Sequence, residues 1–500
     1  MLLDIISFLT GLILFLSPLL EASWDVWSKT IIHLLTIFTV LVYIIFSKNK
    51  LKLSLPSKFH LFVLFLFIIW LFINLLYSKI KLHTEFELHN FINYFLILYI
   101  LNNIELQNVQ KILKYIIPCL FLIILVSFYQ FLIRHHQPQG TMVNPNILAG
   151  YLIMCIPILV YFIEVNSQLK YILYPLIVLT SICLVLSMSF GAIFSLITAF
   201  LIIRFRWKIG ILFSIVLFLL LISFGIINEN SISDRTFWWY STYNIIKENP
   251  VTGTGLGTFE YVYPKYRISK LGSMFAHSSF LQFTSETGII GCLLLVTIII
   301  LFTKRVSNKY FKLSLLSVIF QNIIDYNLYI LSNGILFCFI LDIGNKLANH
   351  NENSKYLIYY FGKFAKIPLI ILLILYSVSV LKLYFSTVNY NIGKNLITSG
   401  SFNSAEGYLT KSIKIKPNSW FVYGRLSDIY QKKYEQNPEK NILYKSIEIL
   451  EKGINFNPYC SQYYYKLSQI YSIIGEKNKS VFYLKKFYEY GGESRKYLDY

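Results

Sequence analysis

Arg235, the glycines of GTGLGTF at 253–259, His277 and Glu286 stand out chemically from an otherwise apolar chain. A neutral imidazole, with a pKa of about 6.5, can accept a proton at ordinary pH. A guanidinium pairs two oxygens of a phosphate or carboxylate through its planar fork. The alternate glycines at 253, 255 and 257 invite a nucleotide reading. A dinucleotide fingerprint, however, needs a preceding strand, a following helix and a later third glycine. Here Pro250 precedes the run and FEYVYP follows it, so the pattern predicts a tight, kinked connection instead.

Several neighbours have two readings. Lys265 and Arg267 in YPKYR supply further cations, as substrate ligands or as rim residues for lipid headgroups. Arg235 itself has an alternative as an interfacial arginine that snorkels to the membrane surface. Trp239 is the best candidate among the loop aromatics for a site contact, although aromatics also belt any membrane interface. Glu286 and Asp325 lie near predicted span ends, where carboxylates invite functional readings. Glu286 fits a substrate contact, a cap or a partner for the arginine. Asn144 and Asn146, either side of Pro145, fit helix capping as well as substrate contact. The adjacent His135 and His136 read as a solvated loop. No metal-ligand spacing or CxxC pair occurs among the six cysteines, so neither a metal site nor a disulfide framework is expected.

These residues sit in a 500-residue chain that is 56% hydrophobic and 14% charged, against about 25% charged in soluble domains. Such a composition implies a polytopic membrane protein. The net charge of +20 is then cytoplasmic loop charge, and nucleic acid is not an expected partner. Apolar runs predict thirteen spans, near 5–20, 30–46, 59–77, 86–101, 115–133, 146–163, 170–187, 190–203, 208–227, 281–302, 311–325, 328–344 and 367–385. The first lacks a basic flank and a cleavage site, and reads as a span rather than a signal peptide. Lysine and arginine concentrate in alternate connections: Lys52 and Lys58, Lys111 and Lys114, Lys170, Arg204 and Lys208, then Lys304 to Lys312. That bias places the polar break at 228–276, and everything after 385, outside the cytoplasm.

Beyond 385 the runs become amphipathic and read as three helix-turn-helix repeats ending near Pro417, Pro458 and Gly492. Gly393, Gly400, Ala405, Leu409 and Pro417, and again Leu467, Tyr471, Gly475 and Leu484, resemble the tetratricopeptide pattern. The expected architecture is all-α: a polytopic domain over 1–385 and a helical repeat domain over 386–500.

The segment from Asp234 to Arg267, followed by AHSSFLQFTSETGIIG, resembles the signature of the O-antigen ligase and polymerase superfamily of bacterial membrane glycosyltransferases. The matching positions are Arg235, Trp239, Pro250, Gly253, Gly255, Gly257, Phe259, His277, Leu281, Glu286, Gly288 and Gly291. GTMVNPNILAGYL at 140–152 resembles a second family patch. Two positions depart from the pattern: Phe190 stands where the family carries an arginine, and Ser278 where it carries asparagine. The resemblance implies transfer of a glycan from a polyprenyl-diphosphate carrier to an acceptor hydroxyl, on the extracytoplasmic face of the bacterial inner membrane. It implies His277 as base, Arg235 as diphosphate ligand, and no metal, ATP or other cofactor. Lys265, Arg267 or Arg134 would compensate for Phe190. Glycan, lipid or protein acceptors fit, and the repeats offer a surface for a protein partner. Two other classes are compatible: a non-catalytic scaffold presenting the repeats, and a polysaccharide transporter or flippase. Against the latter, no repeat between the two halves is detectable and few charged residues lie within spans, whereas transporters often show both.

Overall fold

Within a hydrocarbon layer a helix satisfies its own backbone, so the apolar runs fold as helices. The structure, a computed structural model, describes residues 2–47, 51–205, 207–223, 229–269, 272–352 and 357–492. The first ten helices are α1 (Leu2–Leu19), α2 (Val26–Phe46), α3 (Lys58–Tyr77), α4 (Lys81–Asn103), α5 (Leu106–Leu113), α6 (Ile116–Leu132), α7 (Pro145–Val165), α8 (Lys170–Leu186), α9 (Phe190–Arg204) and α10 (Trp207–Ser223). Then come α11 (Glu229–Glu248), α12 (Phe259–Tyr266), α13 (Ser279–Thr303), α14 (Lys309–Ile324), α15 (Leu331–Glu352) and α16 (Lys366–Thr398). The C-terminal helices are α17 (Phe402–Ile415), α18 (Trp420–Gln436), α19 (Lys440–Phe456), α20 (Ser461–Ile474) and α21 (Lys477–Glu489).

Each of the thirteen expected spans falls on a helix, except that residues 224–227 of one lie outside the described residues. Among the described residues, nine helices are long and apolar enough to cross a membrane, and α9 and α10 are shorter apolar ones. The protein is thus a polytopic helix bundle. Several polar side chains of α4, among them His89, Asn90 and Asn93, are buried inside the bundle. α7 and α15 are its most enclosed spans, whereas α3, α13 and α16 turn mostly apolar side chains outward, as lipid requires.

Two features escaped the hydropathy pattern. A short antiparallel sheet joins β1 (Leu51–Leu55) to β2 (Leu357–Phe361), tying the α2–α3 connection to the α15–α16 connection. The polar break at 228–276 contains α11 and α12 rather than an irregular loop.

α16 is 33 residues long and runs through residue 385 without interruption, so the expected boundary lies inside one helix. Its C-terminal part pairs with α17, α18 with α19, and α20 with α21. The Tyr463 ring fills the space above Gly424 and Gly453, accepts from Gly424 N at 3.0 Å and donates to Trp420 O at 2.5 Å. Gly475, at φ +95°, closes α20 in the left-handed conformation that glycine adopts without strain.

Candidate active site

The glycine run forms a turn plugged into a break in α13. Gly253, Gly255, Gly257 and Gly288 all have positive φ. Gly288 interrupts α13 with φ 73° and ψ 175°, and a Cβ there would overlap the carbonyl of Val251. The amides of the turn are bonded within the protein. Thr254 N donates to Ser285 O at 3.0 Å, Gly255 N to Glu286 O at 2.9 Å and Leu256 N to Asn74 Oδ1 at 2.8 Å. Phe259 N donates to Glu286 Oε1 at 3.3 Å, and Gly257 N also bonds the Glu286 carboxylate. Asn74, on α3, donates in turn to Thr252 O and Glu286 O. Glu286 is fully buried, and Tyr329 Oη donates to its Oε2 at 3.1 Å. A phosphate cradle needs free amides; in this turn the amides are engaged and Glu286 holds them.

Beyond α12 the chain reaches His277 with quite different surroundings. Its φ is +48°, in the left-handed region that a side chain disfavours. Ala276 N donates to Gln282 Oε1 at 3.0 Å, Trp239 Nε1 to His277 O at 3.2 Å and Ser279 N to Asp325 O at 2.9 Å, which pins the segment on three sides. The imidazole stacks on Trp238 at 4.3 Å and meets Tyr326 edge-on at 5.1 Å. His277 Nδ1 lies 3.8 Å from Asp325 Oδ1. Burial, and then the charge of Arg235, hold the imidazole's pKa down to about 3, so it is neutral. Trp238 Nε1 and His277 Nδ1 are both buried without a hydrogen-bond partner among the described residues. Such groups are uncommon in folded proteins.

Arg235 projects from α11, and its Nε donates to Ile324 O, the last carbonyl of α14, at 3.2 Å. Its charge acts on both His277 and Asp325. Asp325 occupies the break between α14 and α15, where Oδ1 accepts from Tyr326 N at 2.9 Å. Tyr326 Oη accepts from Asn144 Nδ2 at 2.8 Å, while Asn144 Oδ1 caps α7 through Ile147 N. The start of α9, where Phe190 stands, approaches the end of α14: Gly191 faces the Ile324 side chain.

The structure therefore brings together Arg235, His277, Trp239 and, unforeseen in this role, Trp238, Asp325 and Tyr326. Lys265 instead pairs with Glu248 at 3.5 Å and lies over the Tyr266 ring. Arg267 follows α12, close to Tyr263. Arg134 is bonded to Tyr129 Oη at 3.2 Å and exposed. Glu286 sits beneath the turn rather than against Arg235. A mostly apolar cavity of about 870 Å³ begins at Ser279, Phe283 and Asn322 and continues along α13 to Phe302. Asn322 Oδ1 accepts from Ser279 Oγ at 2.6 Å, two residues from the histidine.

Residues 175–296 match the family model of O-antigen ligase, and residues 386–419 and 461–490 match that of the tetratricopeptide repeat. The first match contains Arg235, the glycine turn, His277 and Glu286; Asp325 lies beyond it. No curated protein matches the chain. The chain thus carries an O-antigen ligase domain in a membrane helix bundle, with tetratricopeptide repeats at its C-terminal end.

Proposed function

We propose that the protein transfers a glycan from a polyprenyl-diphosphate carrier to an acceptor hydroxyl, on the extracytoplasmic side of a bacterial cytoplasmic membrane. The observation that carries this reading is the meeting of a guanidinium, a partly buried neutral imidazole and a carboxylate at one end of the bundle. An apolar cavity of membrane depth starts beside them and suits the hydrocarbon of a lipid-linked donor. Lysine and arginine distribution supports the sidedness.

In this scheme Arg235 binds the diphosphate and stabilises charge as it leaves. The acceptor oxygen attacks the anomeric carbon while the bond from that carbon to the phosphate oxygen breaks. The bonding pair departs on the diphosphate, and the acceptor proton passes to His277. Asp325 balances the imidazolium that forms. A diphosphate on Arg235 offsets the positive charge that disfavours protonation of His277, so donor binding readies the base. Trp238 Nε1 offers a donor to a substrate oxygen, and Glu286 shapes the turn without touching substrate. Phe190 leaves Arg235 as the principal guanidinium.

Purified protein supplied with labelled polyprenyl-diphosphate glycan and candidate acceptors tests the scheme. Wild type is expected to release one polyprenyl diphosphate for each glycan transferred, and Arg235→Ala to raise the donor KM and lower kcat. Normal turnover by Arg235→Ala would leave the scheme without its anion site. Phe190 favours a second reading, a scaffold that has lost transfer; wild type inert toward every donor–acceptor pair would select it.

A further inference from the structure

The tetratricopeptide repeats grip the same helix that leads to His277. Trp420, at the start of α18, is buried and its Nε1 donates to His83 Nε2 at 3.1 Å. His83, on α4, stacks against Tyr261 of α12 at 4.0 Å, and Tyr261 meets the Trp420 ring at 5.4 Å. Lys416 forms an ion pair with Glu85, whose Oε1 also accepts from Ser379 Oγ of α16 at 2.8 Å. On the other side of α12, Tyr459 from the α19–α20 connection packs on a cluster that includes Val262, Tyr263, Tyr266 and Ala276. Tyr266 Oη donates to Glu248 Oε2 at 2.6 Å, at the end of α11.

Ala276 adjoins His277, and Trp238 of the same cluster stacks on the imidazole. A non-glycine residue at positive φ is strained and persists only where its surroundings impose it. Part of what imposes it here comes from the repeats. We infer that the repeat domain is a fixed wall of the site, in which Trp420 acts through Tyr261 and α12 as a positioning residue for His277. Arg235 is anchored separately, on the Ile324 carbonyl of α14. Loosening the repeats therefore disturbs the base and spares the anion clamp. In steady state this is a fall in kcat at nearly constant donor KM, the pattern of an interaction lost in the transition state.

The inference rests on the proposed transfer reaction for its kinetic arm only. In full-length protein, Trp420→Ala is expected to lower kcat about tenfold or more while donor KM stays within about twofold. Trp420→Phe, which keeps a ring against Tyr261, is expected to recover most of the rate. Hydrogen exchange in 259–266 and 275–278 should rise in Trp420→Ala, and not in Lys452→Ala, which removes an exposed pair on α19. Should Trp420→Ala fold poorly, the charge swap serves: Lys416→Glu lowers kcat, and adding Glu85→Lys restores it. Unchanged exchange and unchanged kcat in both Trp420→Ala and Lys416→Glu would overturn the inference. Wild type without transfer activity would instead count against the reaction, with the exchange measurement still deciding whether the repeats hold the histidine segment. A fall in kcat accompanied by an equal rise in donor KM would also overturn it, because the anion clamp would then depend on the repeats.

Discussion

The glycine turn at 253–259 and the segment at 275–278 flank α12, yet they are built on opposite principles. In the turn, positive φ falls on glycines and the amides are bonded to Ser285, Glu286 or Asn74. At 277 the positive φ falls on a histidine, and Trp238 Nε1 and His277 Nδ1 are buried without partners among the described residues. The turn is relaxed and satisfied, as a structural joint should be. The histidine segment is strained and unsatisfied, a condition that concentrates at reactive sites. The more conspicuous motif is thus the frame, and the plainer one is where we propose the chemistry takes place.

The comparison breaks most sharply at His277. Loss of a positioned base costs about 10²–10⁴-fold in rate, so His277→Ala should reduce transfer by that factor while thermal unfolding changes little. An equal loss on the turn side must come through folding. Gly288→Ala puts a Cβ onto the Val251 carbonyl and a side chain at φ 73°; strain alone costs about 1–3 kcal/mol, and the overlap adds to it. The expected result is a drop in yield of folded, detergent-extracted protein, with Gly253→Ala a milder version. Glu286→Ala leaves buried amides of the turn without an acceptor, at about 1–3 kcal/mol. Glu286→Gln keeps one carbonyl oxygen and should recover part of that, read as a shift in unfolding midpoint.

A pH dependence separates the two regions further. His277 titrates near 3 in the folded protein, against about 6.5 for a free side chain. Below that unfolded value the unfolded chain binds a proton that the folded state refuses. Stability then falls as pH drops from about 6.5 toward 3, by at most about 1.4 kcal/mol per unit from this residue. Comparison of unfolding midpoints at pH 7.5 and 5.5 should show a smaller drop for His277→Gln than for wild type. The smallest effect is expected from Lys265→Ala: partly exposed pairs such as Lys265–Glu248 contribute about 0–1 kcal/mol, and the change in transfer rate should be well below that of Arg235→Ala.

Much of the bundle was legible because hydropathy acts over whole helices: among the described residues each predicted span lies on a helix, although α15 continues to Glu352 and α16 to Thr398. The β1–β2 sheet was not, since LKLSL and LIYYF are short and each needs a partner about 300 residues away. Nor were α11 and α12, whose polar composition masks their helical period. At the site, Arg235, Trp239 and His277 were readable from type and order. Asp325 was visible only as a carboxylate at a span end, because its approach to His277 is made by the break between α14 and α15. Trp238 was hidden beside Trp239, since adjacent residues on a helix face different ways and only the fold tells which one stacks. The grip of Trp420 on His83 and Tyr261 exists only in three dimensions.

The most direct test of the central claim is a single-turnover measurement with wild type and His277→Gln, donor saturating, following polyprenyl diphosphate released per glycan transferred. The account predicts normal donor binding by the variant and transfer slowed by at least about a hundredfold. Transfer by His277→Gln at the wild-type rate would contradict it.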